Sequence, residues 1–184
     1  YFNIALAKAD DSSSFLPAYN NLGLVYLKLR AYDKALRNFK LADKDGVLVT
    51  PKFNMIQLYL KFGQVNNAYT LAKLLYKKAP QDVDIISSLG AIHILKGDYK
   101  TAYNFYKKID SKYFEREDIS GHFAIVYFKL GMLEEAKKML QKGQYTRIQD
   151  IKIMRDSLSI MIERELEILK ENNYDAENAV DKRS

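Results

Sequence analysis

AYNNLGLVYLKLRAYDKALRNFKLAD, residues 18–43, decides how the whole chain is read. Two apolar-periodic stretches flank a short break at Arg30-Ala31, with small residues set inside each: Gly23 in the first and Ala35 in the second. The centre of the stretch, YLKLR at 26–30, returns as YLKFG (59–63), HILKG (93–97) and YFKLG (127–131), at spacings of 33, 34 and 34 residues. A period near 34 residues marks a helix–turn–helix repeat. One such pair cannot bury its apolar face alone, so neighbours stack to build a continuous core.

The residues that recur have mechanical reasons. Gly23, Gly90 and Ala124 are small where the first helix of a pair crosses the second, and Ala35, Ala68, Ala102 and Ala136 answer from the second helix. Gly63, Gly97 and Gly131 end the first helix, where a left-handed residue costs little without a Cβ. Arg30 stands in that place in the first unit, so its turn is expected to differ. Pro80 follows the second helix of the second unit and cannot continue it.

The pattern Tyr19-x2-Leu22-Gly23-x2-Tyr26, then Ala35-x3-Phe39-x2-Ala42, resembles the tetratricopeptide repeat family, with Tyr19 where that pattern prefers Trp. The resemblance covers residues 1–150. It implies an all-α solenoid, a right-handed superhelix of antiparallel helix pairs. Residues 1–10 read as the second helix of an earlier repeat, because Phe2-x2-Ala5 matches Phe39-x2-Ala42, and the sequence is expected to continue upstream. Four repeats follow at 16–48, 49–82, 83–116 and 117–145. The first helices are expected near 17–30, 50–62, 84–96 and 118–130, and the second near 33–44, 66–79, 99–109 and 133–142.

After Gly143 the repeat is lost. Ile151, Met154, Leu158, Met161, Ile162, Leu166 and Leu169 recur at helical steps, which predicts a C-terminal capping helix at 146–172 over the last repeat. Ile153, Ile160 and Ile168 lie partly off that stripe and either widen it or form a self-association face. The polar segment 173–184 is expected to be a disordered tail.

Composition narrows the function. Three prolines and eight glycines in 184 residues favour helices with short connections over many strands. With no cysteine there is neither a disulfide framework nor a thiolate metal site, and the cellular compartment stays open. The net charge of +6 comes from lysines spread through every segment, not from the concentrated basic stripe a nucleic-acid groove requires. No window of 18 apolar residues spans a membrane. Phosphate-binding glycine loops, HExxH and GxSxG are all missing. His93 fills the aromatic slot of its repeat, and His122 lacks a ligand partner at metal spacing. The reading is a non-enzymatic binding module without cofactor or metal.

In the resembled family, fixed positions of each first helix face a concave groove. By register these are Asn20, Leu24, Leu27 and Lys28; Phe53, Gln57, Leu60 and Lys61; Ser87, Ala91, Ile94 and Leu95; and Gly121, Ile125, Phe128 and Lys129. Members that hold acidic chaperone C-termini use a basic clamp. The matching places here carry Asn20, Leu24, Asn54, Asp84 and Ser88, which disfavours that role. An apolar groove with scattered lysines implies a protein partner: a helical or extended segment with apolar anchors, held within a larger assembly. The alternative is a structural spacer that dimerises through the C-terminal helix.

Overall fold

The computed structural model describes residues 15–143 and 149–181, with the backbone alone at 149–151 and 173–181. The expected helix at 1–10 and the last three residues lie outside the described residues. All regular elements described are helical: α1 (Leu16–Lys28), α2 (Tyr32–Ala42), α3 (Val49–Lys61), α4 (Val65–Lys78), α5 (Val83–Leu95), α6 (Tyr99–Tyr106), a 3-10 turn (Ser111–Glu115), α7 (Glu117–Lys129), α8 (Leu133–Lys142) and α9 (Gln149–Asp181). The chain divides into two compact units at Lys96/Gly97, each described by itself.

In the first unit α1 packs on α2, α2 on α3, α3 on α4 and α4 on α5. Gly23 is required for the first of these pairings, because a Cβ there would stand 2.5 Å from Cε1 of the fully buried Phe39. Ala35, Phe39, Met55 and Leu58 form a core cluster, with Leu24, Leu27, Tyr32 and Tyr59 packed around it. Ala35, Ala68, Ala102 and Ala136 are wholly buried, as the crossing positions require.

The turn at Arg30 does not differ from the others. Arg30 takes φ 57°, beside 66°, 72° and 75° for Gly63, Gly97 and Gly131. Backbone geometry of the hairpin wins over the residue's own preference, which disfavours the left-handed region by about 1–2 kcal/mol. Arg30→Gly is therefore expected to raise stability by roughly 0.5–1 kcal/mol, the relieved strain exceeding the extra freedom of the unfolded glycine. The denaturant midpoint checks it.

The connection between the first two pairs is held by a buried lysine that sequence patterning does not reveal. Lys52, 4% exposed, pairs with the Asp43 carboxylate and donates to the Gly46 carbonyl at 3.2 Å. Asp82 caps α5, accepting from the Asp84 and Ile85 amides, and Asp98 caps α6 through Thr101 N–H at 3.1 Å.

The second unit is built around aromatic rings. Phe123 stacks on Tyr127 at 4.3 Å and on Tyr106 at 5.4 Å, and Phe114 meets it edge-on at 5.7 Å. The second helix of the third pair was expected to 109 but stops at Tyr106, and a turn at 107–109 leads to the 3-10 turn Ser111–Glu115. α9 packs against α8 and α7, the helices of the last hairpin. Its buried stripe is narrower than the sequence predicts: Leu158 and Ile162 are buried and Arg155, Ser159 and Leu166 half-buried, whereas Met154, Met161 and Leu169 are exposed. The helix also runs to Asp181, through residues expected to be a disordered tail. Ala176 and Ala179 favour helix there, and no Gly or Pro interrupts it.

Arg155 fastens α9 in place. Its guanidinium donates to the carbonyls of Leu140 and Gly143 at the end of α8 and pairs with Glu117 in the first turn of α7, 3.6 Å away. Both side chains of the pair are largely buried, at 13% and 14% exposure.

Candidate functional site

The first helices of the first unit, α1, α3 and α5, carry the groove positions named from the repeat. Asn54 Nδ2 donates to Asn20 Oδ1 at 2.9 Å, linking α3 to α1. Gln57 Nε2 donates to Ser88 Oγ at 3.2 Å, linking α3 to α5, and Ser88 itself donates to the Asp84 carbonyl. A polar seam therefore runs across the three helices. Asn20, expected on the wall, is buried in it at 8% exposure, and Ser87, also expected on the wall, is buried on α5 at 7%. Asn54 and Ser88, named from the sequence only as places where a basic clamp is missing, join it. The signal was available, since they follow Phe53 and Ser87 by one position, and a helix face is wider than one residue.

Around the seam, Leu24, Leu27, Phe53, Leu60, Ala91 and Ile94 are half-buried, while Lys28, Gln57, Lys61 and Leu95 are exposed. Leu24 and Leu27 pack on the core cluster, so much of their apolar surface serves the fold. Lys61 lies 5.7 Å from the Tyr32 ring, and Tyr32 meets Phe62 edge-on at 4.9 Å. An open cavity of about 660 Å³ lies here, lined among others by Arg30, Tyr32, Lys34, Tyr59 and Phe62. Sequence reading missed it because its lining comes from the turn-side ends of two hairpins, not from one helix face.

In the second unit, Ile125 and Phe128 are half-buried and Lys129 is exposed, its Nζ 5.7 Å from the Phe128 ring. Gly121 is not an open wall position: it is buried, and a Cβ there would meet Met154 of α9 at 3.5 Å. Of the self-association candidates, Ile153, Ile160 and Ile168 are 55%, 66% and 40% exposed, so they do not widen the buried face.

The two histidines are packed. His93 meets Tyr69 edge-on at 5.7 Å. His122 lies beside Tyr106, and burial lowers its pKa from 6.5, partly opposed by the Asp118 carboxylate and carbonyl. The unfolded chain thus binds this proton at higher pH than the folded one. His122 is expected to cost stability as pH falls below 6.5 towards its folded value, and to be silent above it. A His122→Gln variant should show a flatter decline of denaturant midpoint over that window. Among the described residues no three His, Cys, Asp or Glu side chains are grouped to hold a metal ion. No described helix is long and apolar enough to cross a membrane.

Residues 62–143 match the family described as anaphase-promoting complex, cyclosome, subunit 3, and residues 16–44 match a tetratricopeptide repeat family. No curated protein matches the sequence. Among solved structures, a thermophilic tetratricopeptide repeat protein of Thermus thermophilus aligns at 20% identity over 81% of this chain and 84% of that one, with TM-score 0.69. A tetratricopeptide repeat protein of Parabacteroides merdae aligns at 17% identity over 92% and 67%, with TM-score 0.72. The Cut9–Hcn1 hetero-tetramer of the APC/C aligns at 19% identity over 78% of this chain and 28% of that one, with TM-score 0.66.

Proposed function

The chain belongs to the tetratricopeptide repeat family, and from that premise we propose that it is a non-enzymatic scaffold that binds a segment of another protein on the faces of its first helices, within a larger assembly. One observation carries this reading. The pairs Leu27–Lys28, Leu60–Lys61 and Phe128–Lys129 repeat a half-buried apolar residue beside an exposed lysine at one place in the first, second and fourth hairpins. Apolar and basic groups recurring together suit an amphipathic segment with apolar anchors and acidic neighbours. The aromatic members give the anchoring area, since buried aromatic contacts dominate such interfaces.

Phe53→Glu with Phe128→Glu tests the reading, because each puts a charge into a half-buried apolar place. The expected result is at least tenfold weaker partner binding in a protein whose circular dichroism is unchanged, the scale of losing two anchors. Undiminished binding by a folded double variant would place recognition elsewhere.

A second reading, self-association through α9, is favoured by the exposure of Ile153, Ile160 and Ile168 along one helix.

A further inference from the structure

We propose that α9 of one copy docks, head to tail, on a stripe at the turn-side edge of the first unit of a second copy. The inference rests on the self-association reading and adds the surface that receives the helix. The stripe is the exposed end of the recurring phrase. Leu29 and Phe62 are 69% and 50% exposed, each directly after Lys28 and Lys61, and in the third hairpin the order is reversed, with Leu95, 57% exposed, before Lys96. Large apolar side chains are thus left in water at the same place, or one residue before it, in three successive hairpins, which is a recurrence and not scattered exposure.

The exposed side of α9 repeats in a complementary way. Ile153, Ile160 and Ile168 are each followed three residues later by an exposed acid: Asp156; Glu163, which also lies 3.9 Å from Lys137 Nζ of α8; and Glu171. Residues three apart are neighbours on a helix surface, so each anchor carries a carboxylate beside it. Anchors seven or eight residues apart stand roughly 10–12 Å apart along the helix axis. The Asn54–Asn20 and Gln57–Ser88 bonds hold the first helices of successive hairpins side by side, so their Leu–Lys edges recur at about the 8–10 Å spacing of neighbouring helices. Charge agrees with spacing: residues 163–181 hold seven acidic and two basic residues in a chain of net charge +6. A carboxylate beside each apolar anchor would meet a lysine beside each apolar stripe residue, which favours encounter and fixes register.

Donor and receiver surfaces differ, so the contact is heterologous and chains can grow beyond two copies. The weight-average mass of the full chain, read by sedimentation velocity over a concentration series, should rise and should fall back with added salt. Leu29→Glu with Phe62→Glu removes the receiver, and Ile160→Glu with Ile168→Glu removes the donor; all four side chains are exposed, and circular dichroism checks the fold. Each double variant alone should associate at least roughly tenfold more weakly than wild type. An equimolar mixture of the two should form a one-to-one complex and nothing larger, because one intact donor and one intact receiver remain. A wild type whose mass never changes with concentration overturns self-association itself. A receiver variant that associates like wild type overturns the stripe and leaves a symmetric α9–α9 dimer. Two monomeric variants that fail to combine overturn the head-to-tail pairing.

Discussion

Replacing Arg155 with methionine is expected to destabilise the unit of residues 97–184 by about 3 kcal/mol or more. The guanidinium is the shared partner of three groups: the Glu117 carboxylate, and the carbonyls of Leu140 and Gly143. Its loss leaves Glu117 charged, largely buried and without its cation, and strips the end of α8 of its side-chain donor. The pair itself contributes little net stability, because two charges were taken from water to make it. Glu117→Gln with Arg155→Met is therefore expected to recover a large part of the single-variant loss. Denaturant midpoints for the two single variants and the double form a cycle that isolates the coupling. If Arg155→Met alone left the midpoint within experimental error, Arg155 would not be what holds α9 to the last hairpin.

The second large effect is at the first hairpin. Gly23→Ala should normally favour a helix by close to 1 kcal/mol. Here the added Cβ would stand 2.5 Å from Phe39 Cε1 and 2.6 Å from Cδ1, far inside contact distance. Phe39 is wholly buried, so its ring has little room to retreat. Overpacking of this kind costs about 1–3 kcal/mol, which outweighs the propensity gain. Phe39→Ala relieves the clash but opens a cavity and should cost about 3–5 kcal/mol on its own. Gly23→Ala with Phe39→Leu is expected to be more stable than the sum of the two single losses, because the smaller side chain makes room for the Cβ. Additive losses would mean that the two positions do not touch.

The same contact shows why so much of the fold was legible. Gly23, the four alanines and the turn glycines recur because backbones must approach or turn at those places, and a 34-residue period displays that requirement directly. Arg30 shows the limit of reading residue by residue: the hairpin imposes the left-handed conformation even where the sequence offers no glycine. α9 was less legible for a different reason. Its apolar residues fall on two faces, and periodicity alone cannot tell which face packs. The packed face includes Arg155, bonded to the end of α8, and the half-buried Ser159, polar residues that a hydrophobic stripe passes over. The wall assignment rests on register alone, and the Asn54–Asn20 and Gln57–Ser88 bonds depend on how neighbouring hairpins stack, which no single repeat encodes. The Lys52–Asp43 pair was hidden likewise, since a lysine is ordinarily read as surface.

The central claim is that partners are bound on the faces of the first helices. Site-specific photo-crosslinking tests it most directly, with a photoreactive residue at Gln57, exposed on α3, and in a separate protein at Lys73, exposed on α4. Adducts to a partner protein from position 57, suppressed by Phe53→Glu, with none from position 73, are the predicted result. Adducts from position 73 and none from position 57 would contradict the account and move recognition to the second helices.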